Sequence, residues 1–147
     1  MKKKTAVRTK AVIYARVSSK EQEAEGFSVD AQLRLLRAYA AELSVDVARE
    51  FTEAETAKKA GRRAFGEMLR FLEANPGHVV FVEKVDRLYR NFSDYVKVDN
   101  IGVELHFVKD GMILGESAKS QDKFLHGIRV LMAKNYVDNL SEEIRKG

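Results

Sequence analysis

The chain has 147 residues, of which 45% are hydrophobic and 33% charged, a balance typical of a soluble globular protein with one ordinary core. No apolar run approaches the roughly 20 residues of a membrane-spanning helix. The lysine-rich start lacks the apolar segment of a secretory signal. The absence of cysteine excludes disulfides and thiolate metal sites and fits a reducing compartment, so we predict a cytoplasmic protein.

The formal net charge of +4 is unevenly distributed along the chain. Residues 1–10 hold five of the 26 basic residues and no acidic residue, and they predict a basic N-terminal tail, most simply a solvated arm. The rest of the chain has 21 basic against 22 acidic residues. Affinity for nucleic acid must therefore come from local arginine clusters, from the tail or from a part of the protein outside this chain.

The first half of the chain predicts two strands around one helix. Residues 11–17 form a β-prone apolar run, which indicates a buried strand. Ser28 is a good N-cap for a helix over 29–43, whose apolar residues repeat at spacings of three and four. Residues 45–51 alternate weakly and predict strand two. Residues 52–63 show no clear period and indicate a loop.

The second half repeats the alternation of helix and strand. Its predicted elements are a helix over 65–72, a strand over 79–82, a charged loop over 83–91, a helix over 93–100 and strands over 103–108 and 112–114. This order predicts an α/β fold of the flavodoxin-like kind, with a mostly parallel sheet of four or five strands and helices on both faces.

The last predicted element is one long helix. Residues 117–140 contain no proline and a single glycine, Gly127, and would extend roughly 36 Å as a helix. Their apolar residues cover more than one stripe, so one face can pack on the sheet while another needs a partner, most simply a second copy of the chain. The alternative is a helix broken near Gly127 that folds back. The predicted organisation is a tail over 1–10, a domain over 11–116 and a helical segment over 117–147.

A serine and several arginines follow the predicted strands. Arg16, Ser18 and Ser19 end strand one, and residues 86–90 (Asp-Arg-Leu-Tyr-Arg) follow strand three. These segments should meet, because strands one and three are commonly neighbours in doubly wound sheets. Arginine suits a phosphate site because its planar fork donates paired hydrogen bonds and keeps its charge. The pattern favours a nucleophilic serine facing a phosphodiester. The plain alternative is a pair of solvated polar loops, the second anchored by Leu88.

Other chemistries have less support in the sequence. The chain contains neither G-x-G-x-x-G nor G-x-x-x-x-G-K-[ST]. His78, His106 and His126 lack metal-ligand spacing, and we interpret each as a boundary or surface residue. Glu53 and Glu55 could supply a carboxylate near the site, although a solvated loop explains them equally well.

Two motifs resemble those of the serine recombinases, the resolvase/invertase family. Residues 14–19 (Tyr-Ala-Arg-Val-Ser-Ser) with Gln22 resemble the family's active-site signature, and residues 86–90 resemble its second catalytic motif at the right distance downstream. Residues 26–32, residues 53–62 and the long last helix resemble the large serine integrase branch. The resemblance covers nearly the whole chain after the tail and implies the fold of a resolvase catalytic domain.

By that resemblance, Ser18 is the nucleophile that attacks a DNA phosphodiester, forms a 5′-phosphoserine link and releases a 3′-hydroxyl. The other catalytic positions that the resemblance implies are Arg16, Gln22, Arg62, Asp86, Arg87 and Arg90. A second group, expected to contact DNA or phosphate, is Ser19, Arg63 and Glu53. The family carries an arginine followed by proline where this chain has Arg62 and Arg63, so both arginines remain candidates.

The resemblance also implies partners and the absence of cofactors. It implies no metal, ATP or small-molecule substrate, because one phosphodiester is exchanged for another and arginines supply the positive charge that metal ions give in many nucleases. It implies DNA as the substrate, dimers and tetramers formed through the last helix, and a DNA-binding part outside this chain. Two rival interpretations are a non-catalytic dimerisation module of the same fold and a flavodoxin-like phosphate-binding protein.

Overall fold

The structure is a computed structural model that describes residues 9–18, 28–55, 62–115, 125–128, 130 and 132. The strands are β1 (Lys10–Ser18), β2 (Asp46–Glu55), β3 (His78–Val82), β4 (Glu104–Phe107) and β5 (Met112–Leu114). The helices are α1 (Val29–Glu42), α2 (Arg63–Ala74), α3 (Val85–Leu88) and α4 (Phe92–Ile101). Residues 125–128, 130 and 132 are also helical and are called the C-terminal helical segment.

The five strands form one sheet in the order β2-β1-β3-β4-β5. The first four strands are parallel, and β5 pairs antiparallel with β4. This confirms the predicted α/β fold, including the neighbouring positions of β1 and β3. β1 continues beyond its last pair with β3, Tyr14 with Val82, so that Arg16 and Ser18 lie past the end of β3 and pair only with β2.

The core has two layers, one on each face of the sheet. On one face, Val12 and Tyr14 of β1 pack with residues of α2 and α4. On the other face, Ala11, Ile13 and Ala15 pack against α1. An apolar run that is buried on both faces is typical of a central parallel strand. The predicted placement of helices on both faces is confirmed.

Helix α1 begins where the sequence predicts. The Ser28 hydroxyl oxygen accepts the backbone N–H of Ala31 at 3.0 Å and so satisfies one of the helix's unpaired donors. Leu33, Leu36 and Ala40 of the predicted stripe are buried against the sheet. The side-chain cap and the apolar stripe therefore fix both the start of α1 and the face it presents.

The prediction for strand two was wrong at its end. The predicted strand stopped at residue 51, with a loop over 52–63, but β2 continues to Glu55 and α2 begins at Arg63. Phe51 and Glu53 are buried while Thr52 and Ala54 are exposed, so the strand alternation continues with a carboxylate in an inward position. Because Glu53 occupies an inward position, the alternation of apolar and polar residues that marks a strand is not visible in the sequence here.

The prediction that the histidines lie at boundaries or on the surface was wrong for two of them. His106 and His126 are buried, and His78 is half-buried. The Nδ1 of His106 lies 2.7 Å from the Tyr39 hydroxyl, and its Nε2 lies 2.7 Å from Glu104 Oε2. Two polar partners thus allow an imidazole to occupy an apolar layer.

Among the residues that the structure describes, no helix is both long and apolar enough to span a bilayer. The predicted tail lies almost wholly outside those residues. The predicted helix over 117–140 is described only at the C-terminal helical segment, which includes Gly127 in helical conformation. The charged loop predicted over 83–91 contains the one-turn helix α3, whose Leu88 is fully buried as the predicted anchor.

Candidate active site

The end of β1 is held by a buried amide. Gln32 of α1 accepts the backbone N–H of Arg16 at 3.1 Å through Oε1 and donates to the Arg16 carbonyl at 3.0 Å through Nε2. Gln32 is fully buried. It supplies the pair of hydrogen bonds that a neighbouring strand would give at this point, where β3 has already ended. With these bonds and its pairing to β2, the strand continues to Ser18, its last residue.

The side chain of Arg16 joins β1 to α3. Its Nε donates to the carbonyl of Arg87 at 3.2 Å, and its Nη2 donates to the carbonyl of Asp86. In return, Nη1 of Arg87 donates to the Arg16 carbonyl at 3.4 Å. The structure thus brings the arginine of the first motif and the start of the second motif into direct reciprocal contact at the carboxyl edge of the sheet.

Arg87 is a buried cation with an acidic neighbour. Its Nε lies 3.4 Å from Glu83 Oε1, and the second carboxylate oxygen of Glu83 lies 3.2 Å from Lys109 Nζ. Arg87 and Glu83 are both buried, whereas Asp86 is exposed. A buried guanidinium needs such compensation because its removal from water is costly. The orientation of Arg87 is therefore set by the interior of the domain.

Arg62 lies inside the domain, while Arg63 points away from it. Nη2 of Arg62 donates to the Tyr14 hydroxyl at 3.2 Å and to the Leu88 carbonyl at 3.1 Å. The Arg62 guanidinium carbon lies 4.3 Å from the centre of the Phe65 ring, a cation–π contact. The side chain of Arg63 is 91% exposed and that of Arg62 only 14%. Of the two candidate arginines, only Arg62 reaches β1 and residues 86–90.

Glu53 caps α2 and binds β1. Its Oε1 accepts the Tyr14 hydroxyl at 3.0 Å and the Phe65 N–H at 3.1 Å, and its Oε2 accepts the Ala64 N–H at 3.3 Å. The N-cap residue of α2, Arg62, gives no side-chain cap of its own. A carboxylate at a helix N-terminus satisfies the unpaired amides and meets the positive end of the helix dipole. Glu53 therefore fixes where α2 starts.

Tyr14 connects the carboxylate of Glu53 with the guanidinium of Arg62. Burial raises the pKa of the Tyr14 hydroxyl well above its ordinary value, so the residue stays a neutral phenol. A phenol donates one hydrogen bond and accepts others, which matches donation to Glu53 and acceptance from Arg62. The three side chains form one buried polar chain beneath the carboxyl edge.

The remaining predicted residues divide between the described and the undescribed parts of the chain. Ser18 is half-buried at the end of β1, and Arg90 is half-buried with its backbone N–H donating to Asp94 Oδ2 at 2.7 Å. Ser19 and Gln22 lie outside the described residues. No three metal-ligating side chains come together within the described ranges.

Sequence reasoning missed two residues that organise the site, Gln32 and Asp94. Gln32 occupies a polar position among the apolar residues that α1 turns toward the sheet, and that interruption was a usable signal. Asp94 follows Asn91, the N-cap of α4, by three residues, a spacing that marks a capped helix start. The sequence prediction began this helix at residue 93 and did not use the spacing between Asn91 and Asp94.

Known proteins are similar to this chain in sequence and in fold. The family described as "Resolvase, N terminal domain" matches residues 11–147. A resolvase/recombinase from Pseudomonas putida is 35% identical over 103 residues, which cover 67% of this chain and 51% of that protein. A solved resolvase family site-specific recombinase from Streptococcus pneumoniae has a TM-score of 0.70 at 26% identity, with 95% of this chain and 98% of that chain covered.

The N-terminal catalytic domain of TP901-1 integrase has a TM-score of 0.64 at 23% identity, with 93% of this chain and 99% of that chain covered, and it shares the fold. The sequence match and the fold are those of a serine recombinase catalytic domain. The chain belongs to the resolvase N-terminal domain family. It spans about half the length of two curated relatives, the resolvase/recombinase from Pseudomonas putida and the Tn3 resolvase from Escherichia coli.

Proposed function

We propose that this chain is the catalytic domain of a site-specific DNA recombinase in which the Ser18 hydroxyl attacks a DNA phosphodiester. The observation that carries the proposal is the reciprocal contact of Arg16 with Arg87 at the strand end that bears Ser18. Two further points disfavour one rival interpretation, the non-catalytic dimerisation module. Ser28, not Ser18, supplies the cap of α1, and Arg87 is turned into the domain rather than outward.

The proposed reaction exchanges one phosphodiester for another. The Ser18 hydroxyl gives up its proton as Oγ forms a bond to phosphorus, the bond from phosphorus to the 3′-oxygen breaks, and that oxygen takes up a proton and leaves as a 3′-hydroxyl. Rejoining reverses these steps with a different 3′-hydroxyl. Because bond energy is kept in the 5′-phosphoserine link, the exchange requires no ATP. Arg16, Arg62, Arg87 and Arg90 are proposed to stabilise the added negative charge at phosphorus.

The sequence strings over 26–32 and 53–62 support the further proposal that the protein belongs to the large serine integrase branch. DNA is then the substrate, and no metal ion takes part. The proposed roles of Gln22 and Ser19 near the phosphate, and of Asp86 in orienting an arginine or moving a proton, rest on the resemblance.

The reaction is tested with the full-length protein and DNA that carries its recombination site with a nick, which blocks rejoining. We expect a covalent protein–DNA band after denaturation, formed equally well in excess EDTA. The protein should remain on the fragment that has the newly made 5′ end, detected by a label at the 3′ end of that fragment, and the other product should carry a free 3′-hydroxyl. A protein that binds this DNA without forming the band would support the dimerisation module instead.

The C-terminal helical segment supports a proposed contact between copies of the chain. Its buried residues, His126 and Val130, face the domain. Leu125, Ile128 and Met132 are exposed and stand three and four residues apart, which places them on one helical face. An exposed apolar stripe of this kind is costly in water unless a partner covers it. We propose that this stripe is the contact through which copies of the chain associate into dimers and tetramers.

The double variant Ile128→Glu/Met132→Glu is expected to weaken self-association at least about tenfold, since two charges would enter an apolar contact. Sedimentation over a range of protein concentrations measures this change. Ile113→Glu is the matched control, because Ile113 is also exposed but lies on β5. The contact is excluded if the double variant associates as strongly as the control.

A further inference from the structure

We infer that Asp94 is a positioning residue that holds Arg62 and the residue 86–90 segment in a single arrangement. This inference rests on the proposed function, because it assigns Asp94 a part in orienting the arginines that are proposed to stabilise charge at the phosphate. Asp94 belongs to neither sequence motif and lies in the first turn of α4. Its importance comes from what its carboxylate touches.

A single carboxylate oxygen of Asp94 is bound by both arginine-bearing segments. Oδ2 accepts the backbone N–H of Arg90 at 2.7 Å and also pairs with Nη1 of Arg62. The Asp94 side chain is 7% exposed, and its own backbone N–H donates to Asn91 Oδ1 at 2.9 Å. The carboxylate is therefore fixed by the helix start and shielded from water. Such shielding strengthens its hold on both donors.

Arg62 extends this connection across the site. Its other terminal nitrogen donates to the Leu88 carbonyl and to the Tyr14 hydroxyl of β1. Arg62 thus contacts β1, residues 86–90 and α4 at once, with Asp94 as its acidic partner. Loss of that carboxylate would take an acidic partner away from a mostly buried guanidinium and would remove the side-chain oxygen that the Arg90 N–H binds. The Arg62 side chain and the Arg90 backbone would then no longer be bound to the same carboxylate.

Asp94 acts through these two residues rather than on DNA. Its removal should therefore slow cleavage without weakening the binding of DNA. Its effect should be smaller once Arg62 has been removed, since the two changes share one contact and only the contact with the Arg90 N–H is then left to lose. An aspartate that served only to stabilise the fold would instead lower the melting temperature and leave the cleavage rate of folded protein unchanged.

The test uses the full-length protein on saturating nicked site DNA, with the single-turnover rate of covalent complex formation as the readout. Asp94→Ala is expected to slow this rate about 100-fold, as small misplacements of reacting groups do. Asp94→Asn should recover much of the rate, because its amide oxygen still accepts both donors. The double variant Arg62→Ala/Asp94→Ala should be slowed less than the product of the two single effects, because the contact between the two side chains is lost only once. Asp99→Ala, an exposed aspartate on the same helix, is the matched control.

A second readout does not depend on cleavage. Hydrogen exchange of the Arg90 amide should be at least about tenfold faster in Asp94→Ala than in wild type or Asp99→Ala, because its acceptor is gone. A wild-type rate of cleavage in Asp94→Ala, independent effects of the Arg62 and Asp94 changes, or unchanged exchange at Arg90 would each overturn the inference. Failure of the wild type to form the covalent band would instead overturn the proposed function, and the exchange measurement would still decide whether Asp94 holds Arg90.

Discussion

Ser18→Ala is expected to abolish the covalent protein–DNA complex, with a loss of at least about 10⁴-fold in its rate of formation, as for other enzymes that lose their nucleophile. Ser18 ends β1, and its hydroxyl lies beyond the residue that Gln32 and Arg87 fasten to the domain. Alanine has no side-chain oxygen, so the variant lacks the atom that is proposed to bond to phosphorus. Denaturing electrophoresis of protein mixed with nicked site DNA measures the effect.

Ser19→Ala is the matched control for this prediction, because it removes the neighbouring hydroxyl and leaves the strand unchanged. We expect it to form the covalent complex, and we expect Ser18→Ala to bind DNA as the wild type does. A complex that persists in Ser18→Ala but disappears in Ser19→Ala would transfer the proposed role to the second serine. A complex formed by both variants would exclude both serines as the nucleophile.

The sequence predicted the sheet well where burial is uniform. β1 is apolar on both faces, so the run over 11–17 was readable without knowledge of its partners. Parallel topology then placed its end beside residues 86–90, because neighbouring parallel strands open their following segments on one edge. The observed contact between Arg16 and Arg87 follows from that placement.

The residues that the sequence misjudged are polar residues with long-range partners. Glu53 accepts hydrogen bonds from Tyr14 and from the start of α2, and His106 lies between Tyr39 and Glu104. Tyr14, Tyr39 and the start of α2 are distant in sequence or lie on another element, so local periodicity carries no information about these contacts. A polar side chain then looks solvated although the fold buries it.

The choice between Arg62 and Arg63 illustrates the same limit at a helix start. Adjacent residues point in different directions once α2 is formed, and which of them faces inward depends on where the helix begins. Glu53 sets that start by capping Ala64 and Phe65. The sequence could not order the two arginines because the capping residue itself was misplaced in a loop.

Arg87→Lys is expected to slow covalent complex formation by about 10² to 10³-fold, the loss typical of removing one donor that stabilises transition-state charge. Lysine keeps the positive charge beside Glu83, but it lacks the planar fork that reaches the Arg16 carbonyl through Nη1 and Glu83 through Nε. The fold should survive because the buried charge remains compensated. The single-turnover cleavage rate at saturating nicked DNA measures the change, alongside the melting temperature.

Two comparisons separate charge from geometry at this position. Arg63→Lys changes an arginine whose side chain is 91% exposed and should leave the cleavage rate as it is in the wild type. Arg87→Ala should lower the melting temperature as well as the rate. The buried carboxylate of Glu83 contacts both Arg87 and Lys109, and the variant removes the first of these two cations. If Arg87→Lys cleaved as fast as Arg63→Lys, charge alone would be sufficient at this position. The paired hydrogen bonds of the guanidinium would then have no part in the reaction, and Arg87 would serve the domain by joining Glu83 to the end of β1.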